Sequence, residues 1–171
     1  MPTPTPTESV VPVVPVVTAA DVEREVLARF DEAHVVVMAA AVADFRPKVV
    51  AAEKIKKQGG APEILLEPTP DILAGLGARK THQVLVGFAA ETERLSEHAA
   101  AKMAAKRVDL LVANDVSAPD AGFEVETNRA MLFDGSGSVT ETPLLSKLSL
   151  AEVILDRVAV RLGRDTTRES Q

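Results

Sequence analysis

Apolar residues recur in short blocks separated by polar or turn-forming stretches, and the spacing inside each block predicts its element. From Thr18 to Phe30, Val22, Val26, Leu27 and Phe30 fall on one helical face, with Thr18 as cap and Asp21 at the capping-box position. His34 to Met38, Val84 to Phe88 and Leu110 to Ala113 are continuous apolar runs, as expected of strands buried on both faces. Ile64 to Leu66 predicts a further strand, and Thr69-Pro70-Asp71 opens a helix with a cap, a proline in the first turn and an early acid. A helix follows from about Thr92 to Arg107. Arg129 to Phe133 and Val139 to Thr142 flank Asp134-Gly-Ser-Gly137, a hairpin signature, and Ser149-Leu-Ala-Glu152 is a capping box opening a last helix to about Leu162. Val10 to Val17 is β-branched enough for a strand, but Pro12 and Pro15 restrict it to a sheet edge. Asp44 to Pro62 has no periodicity and reads as a mobile loop.

Short apolar strands alternating with helices predict an α/β fold. The expected architecture is Rossmann-like: a mostly parallel sheet flanked by helices, ending in a β-hairpin and a final helix. Residues 1–9, alternating Pro and Thr, form a disordered leader in this reading, residues 10–162 the folded domain, and residues 163–171 a polar tail. In parallel sheets ligands sit at the carboxyl ends of the strands. That rule selects Ala40 to Asp44, Phe88 to Glu91, and Asn114-Asp115.

Composition narrows the function. The 171 residues carry a formal charge of −6, which argues against a nucleic-acid binder while leaving room for a local basic pocket. There is no cysteine, which removes disulfides, iron–sulfur clusters and thiol nucleophiles, and no Trp or Tyr to offer stacking platforms. No apolar run is long enough to span a membrane and no secretory signal is visible, so the expected location is cytoplasmic. His34, His82 and His98 have no metal-ligand spacing.

Several groups remain for chemistry. The alanine-rich stretch after Met38 leaves its backbone open to a flat ligand, and Asp44 adds a carboxylate suited to an amine, a hydroxyl or a metal-bound water. The alternative is a tight packing corner with a capping Asp. Lys54, Lys56 and Lys57, beside Gly59-Gly60, either close over a polyphosphate or form a solvated charged loop. Arg94, His98, Lys102 and Lys106 recur every four residues, a cationic stripe that an anion would relieve or that simply faces solvent. Asn114-Asp115 suits a ligand or a turn. The first glycine is Gly59, so the front third holds no glycine-rich phosphate cradle.

Taken in order, Met38 to Pro47, Glu53 to Lys57, Pro68 to Leu73, Val86 to Thr92, Lys102 with Lys106, and Leu110 to Val116 resemble the bacterial phosphopantothenate–cysteine ligases. The resemblance runs from about Val13 to Leu162. It implies activation of 4′-phosphopantothenate by CTP and Mg²⁺ to an acyl-cytidylate, followed by attack of the cysteine amine to give phosphopantothenoylcysteine and CMP. It implies nucleotide-binding roles for Met38, Ala39, Ala40, Asp44, Pro70, Asp71, Ile72, Leu73, Phe88, Lys102 and Lys106. Lys54 takes the position of a lysine implicated in turnover, on a flap that reaches the other subunit of a homodimer.

The sequence departs from these ligases at its front. Their earlier strand, Gly-Gly-Thr loop and asparagine-bearing segment have no counterpart, since the asparagines here are Asn114 and Asn128. Two expectations follow: a shortened ligase, or a cytidine-nucleotide-binding and dimerisation module that needs another chain to supply the missing segment. The hairpin region, Arg129 to Thr142, is the expected dimer contact.

Overall fold

The computed structural model describes residues 11–55, 63–91, 95–115 and 126–168. The expected leader, Lys56, Lys57, Gly59, Gly60 and Arg94 lie outside the described residues. Thr18 caps α1 (Ala19–Phe30) through the expected capping box, its hydroxyl accepting the Asp21 amide while Asp21 accepts the Thr18 amide. The chain then alternates as expected through β1 (Val35–Met38), α2 (Ile72–Arg79), β4 (Val84–Glu91), α3 (Leu95–Lys106) and β5 (Leu110–Asp115). Between β1 and α2 lie two short strands, β2 (Phe45–Pro47) and β3 (Leu66–Pro68). After β5 come β6 (Thr127–Asn128), β7 (Ala130–Asp134), β8 (Val139–Glu141), β9 (Leu145–Ser146) and α4 (Lys147–Arg168).

The central sheet has the order β1-β4-β5-β7-β8. The first three strands are parallel, and β7 and β8 close it as the antiparallel hairpin the sequence predicts. Asp134 builds that turn, accepting the Ser136 and Ser138 amides, while Gly137 takes a φ of +84° that a side chain rarely adopts.

Period-two alternation in β4 and β5 divides the core. Leu85, Leu111 and Ala113 face Phe30 of α1, Ile72 and Leu76 of α2, and Ala99 and Met103 of α3. Val84, Val86, Leu110 and Val112 face Leu150, Ile154 and Val158 of α4. Phe30, Leu76, Leu85, Val86 and Val112 are fully buried, each worth roughly 1.5–3 kcal/mol relative to exposure. Gly77 sets how closely α2 meets α3, since a Cβ there would overlap the Lys106 carbonyl.

Five expectations change. Residues 11–17 join no sheet; their prolines withhold the donors a ladder needs. Part of the expected loop, Phe45–Pro47, pairs antiparallel with Leu66–Pro68, so the strand placed at Ile64 to Leu66 also shifts toward α2. The last helix starts at Lys147, because Ser146, rather than Ser149, accepts a first-turn amide, that of Ser149 at 3.1 Å. That helix also continues through Leu162 to Arg168.

A candidate strand-end nucleotide site

The register sets three carboxyl ends side by side. Met38 of β1 lies against Gly87 of β4, and Ala89 and Glu91 of β4 lie against Ala113 and Asp115 of β5. These are the strand ends that the sequence selects. Ala39 and Ala40 follow Met38 as exposed, non-helical backbone, while Val42 tucks into the core beside Met38 and Leu73. The Asp44 carbonyl accepts the Thr69 amide at 2.8 Å. That bond joins the alanine-rich segment to the start of α2, two pieces of sequence separated by the whole of β2 and β3.

Pro70, expected in the first turn, instead lies exposed ahead of α2, because Asp71, expected as an early acid, is itself the cap and accepts the Ala74 amide at 3.0 Å. The first-turn amides of Ile72 and Leu73 have no carbonyl inside the helix to bond, as at any helix start, and they face outward with its positive dipole end. The Ile72 side chain belongs to the core and Leu73 packs beneath Gly87, so these two residues offer a ligand backbone rather than side chain.

From α3, the Lys106 ammonium reaches the Asp71 carboxylate at 3.0 Å. Partial burial raises the Asp71 pKa, but the Ala74 amide and the Lys106 charge outweigh it and hold the carboxyl below its ordinary value. Lys106 is therefore already compensated, and an arriving phosphate has to share it with Asp71. Lys102 lies one turn earlier on α3, and His98 lies on the same helix.

Phe88 points the other way. It packs with Leu145 and the α4 core, on the sheet face opposite Met38 and Leu73. Asn114, two residues beyond Val112, lies on that same face, and its Oδ1 is buried without a hydrogen-bond partner, as is Oδ1 of Asn128. Asn128 carries no sequence signal of this kind. Lys54 is exposed in the irregular stretch between β2 and β3 and forms no ion pair among the described residues.

Thus the structure gathers Met38 to Ala40, Asp44, Asp71 to Leu73 and Lys106 on one face, places Phe88 on the other, and leaves Lys54 on the arm that β2 and β3 begin and end. The site is an open shelf. Two cavities lie elsewhere, one of about 90 Å³ at the amino ends of β4 and β5 and one beside α1. No group of three or more metal-ligating side chains occurs among the described residues, and no helix among them is long and apolar enough to cross a membrane.

A three-stranded parallel core with an exposed strand-end shelf and a helix start aimed across it defines an α/β protein of Rossmann-like type. The chain belongs to the family described as the DNA/pantothenate metabolism flavoprotein C-terminal domain, which matches residues 1–162. It is 45% identical over 157 residues to the coenzyme A biosynthesis bifunctional protein CoaBC of Bacillus subtilis (strain 168), covering 92% of this chain and 38% of that protein. The CoaBC protein of Escherichia coli (strain K12) is 40% identical over 167 residues, covering 95% of this chain and 41% of the relative. The chain thus spans about two fifths of these relatives. The crystal structure of the C-terminal domain of a CoaBC protein superposes with a TM-score of 0.72 at 38% identity, covering 88% of this chain and 68% of that one.

Proposed function

We propose that this chain carries the ligase chemistry of coenzyme A biosynthesis: CTP-dependent joining of 4′-phosphopantothenate to cysteine. The observation that carries the reading is the continuous family match to CoaBC proteins over almost the whole chain, with Met38 to Ala40, Asp44, Asp71 to Leu73 and Lys106 of the matched motifs meeting on one shelf. In the first step a substrate carboxylate oxygen attacks the α-phosphorus of CTP, the bond to the β-phosphate oxygen breaks, and pyrophosphate leaves. In the second, the cysteine amine attacks the acyl carbon, loses a proton, and expels CMP.

Each residue takes the role its position suits. Ala39 and Ala40 offer open backbone to the nucleotide, and Asp44 offers an acceptor for its hydroxyl or amine groups. The α2 start and Lys106, with Lys102 beside it, draw the phosphates toward α3, where fixed positive charge stabilises the departing pyrophosphate. Phe88 supports the shelf from below. Mg²⁺ would be held by phosphate oxygens of the nucleotide with Asp44 as the nearby carboxylate, and would offset phosphate charge there.

A homodimer belongs to this reading. Large apolar side chains are exposed on and beside the β2–β3 arm, including Phe45, Leu66, Ile64 and Leu65 at 57–67%, whereas the hairpin exposes Val139. The arm is therefore the better candidate for contact with a second copy, and it brings Lys54 with it.

The test is CMP release from the purified chain with 4′-phosphopantothenate, cysteine, CTP and Mg²⁺, with ATP in place of CTP as control. CMP that requires every component and disappears in Lys54→Ala supports the ligase. A second reading, a nucleotide-binding module incomplete by itself, is favoured by the openness of the shelf, where Lys106 is already paired with Asp71. CTP binding by calorimetry without CMP selects it, and neither binding nor CMP overturns both.

A further inference from the structure

Lys106 is the last residue of α3, and its charge reaches the shelf only because of where its backbone is held. One support is Gly77, buried in the second half of α2. A Cβ there would overlap the Lys106 carbonyl oxygen and stand 2.8 Å from the carbonyl carbon and 3.3 Å from the Arg107 Cβ. Backbone cannot swing aside as the tip of a side chain can, so any larger residue at position 77 moves the end of α3. Gly75, on the same helix, is exposed with nothing within 4 Å of where its Cβ would stand. Packing demands the first of these glycines and not the second.

The other support is the exit of α3. The Arg107 amide donates to the Ala104 carbonyl at 3.3 Å and the Val108 amide to the Met103 carbonyl at 3.2 Å, the paired bonds of a Schellman cap. Such a cap needs a left-handed residue just past the helix. Arg107 supplies it at a φ of +50°, the one non-glycine residue with positive φ among the described residues. Its guanidinium also donates to the Ala78 carbonyl of α2, at a long 3.4 Å. Gly77 and Arg107 thus hold the Lys106 backbone against α2, one from each helix. Asp71 lies six residues ahead of Gly77, roughly 9 Å back along the helix axis, and the extended lysine stem spans that interval. The 3.0 Å ion pair closes at the start of α2, where the free amides face the shelf.

We infer, on the reading of the shelf as a CTP site, that Gly77 and Arg107 are positioning residues: they seat the end of α3 so that the Lys106 ammonium is delivered to the start of α2. A packing role alone would cost stability and nothing more. A positioning role is transmitted through Lys106 and vanishes when that lysine is absent.

The experiment reads CTP binding by calorimetry in the presence of Mg²⁺ and, without nucleotide, the Asp71 carboxyl titration by carbon-detected NMR. Gly77→Ala weakens CTP binding roughly tenfold, the worth of one charge-assisted hydrogen bond, whereas Gly75→Ala stays within about twofold of wild type. Arg107→Val and Arg107→Gly lose the same charge, but a β-branched residue resists positive φ and glycine does not. Arg107→Val therefore binds CTP more weakly than Arg107→Gly. In a Lys106→Met background neither Gly77→Ala nor Arg107→Val has a further effect. The Lys106 charge helps to hold the Asp71 carboxyl low, so Asp71 titrates higher in Gly77→Ala, Arg107→Val and Lys106→Met and stays near its wild-type position in Gly75→Ala and Arg107→Gly. Should Gly77→Ala not fold, the Arg107 pair decides, since that residue is exposed. Losses that persist undiminished in Lys106→Met overturn the inference, as does an Asp71 titration unmoved in folded Gly77→Ala or Arg107→Val. A wild-type chain that binds no CTP retires the nucleotide reading, and the titration then decides the seat by itself.

Discussion

Asp71 performs three tasks with one carboxylate: it caps α2, it pairs with Lys106, and it borders the shelf. Capping and charge can be separated by substitution. Asp71→Ala is expected to lower stability by about 1 kcal/mol, the usual loss of a helix cap, whereas Asp71→Asn keeps an acceptor and stays within a few tenths. Thermal melts of the two variants check this, and equal losses would mean that the ion pair, not the cap, carries the effect. The pH dependence follows in sign. Asp71 is held below its ordinary value in the folded state, and hydrogen bonds from Thr18 and then Arg24 lower Asp21 to about 2. Groups depressed on folding stabilise fully above their unfolded pKa, near 4, and lose that contribution as pH falls through the folded value. The wild-type midpoint is thus flat from neutral pH to about 5 and declines below about 4, less steeply in Asp71→Asn. In the sequence Asp71 is legible as an early acid of α2 and, through the family resemblance, as a site residue, while its role as the cap itself is seen only in the structure. Its pairing with Lys106 is not legible either, because that contact depends on Gly77 letting α2 approach the end of α3.

The same contrast holds for whole elements. Buried strands and capped helices are legible because burial imposes a period: β1, β4, β5 and the hairpin lie where their apolar runs predict. β2, β6 and β9 are two or three residues long and leave no such trace; β2 exposes every residue and is held by its ladder to β3 and by Arg46 bonding Glu67 at 2.8 Å. Long-range polar ties are equally silent. Asp109, at the turn from α3 into β5, accepts from Lys80 at the end of α2 at 2.7 Å, from the Leu85 amide of β4 at 2.8 Å, and from Arg161 of α4 at 3.1 Å. Its side chain is 11% exposed and that of Lys80 is 16%, so removing the carboxylate strands a charge and an amide in a poorly hydrated spot. Asp109→Ala is expected to lower unfolding free energy by about 3 kcal/mol in urea titrations. Arg161→Met, removing the more exposed partner, costs less than about 1 kcal/mol. A mild Asp109→Ala would show that these four elements are held by their apolar cores alone.

At the scale of the whole molecule, the two core layers fix the sheet, and everything proposed to be chemical lies at its upper rim or on the arm. The arm explains why Lys54 stands apart from Asp44 and Lys106 within one chain: its base is β2 and β3, while Lys54 lies out along it, among exposed apolar residues that a second copy would cover. If the arm completes the neighbour's shelf, then Lys54 and Asp44 act together across the dimer rather than within a subunit. That arrangement predicts complementation. Lys54→Ala and Asp44→Ala homodimers are each inactive in CMP release. Dissociated, mixed equally and reassembled, half of the dimers are mixed, and each mixed dimer holds one site with both residues intact. Activity then recovers to about a quarter of wild type. Recovery to that level places Lys54 in the opposite subunit. No recovery, with mixed dimers verified by native mass spectrometry, means that the arm folds back onto its own shelf, because in that geometry every site lacks one of the two residues.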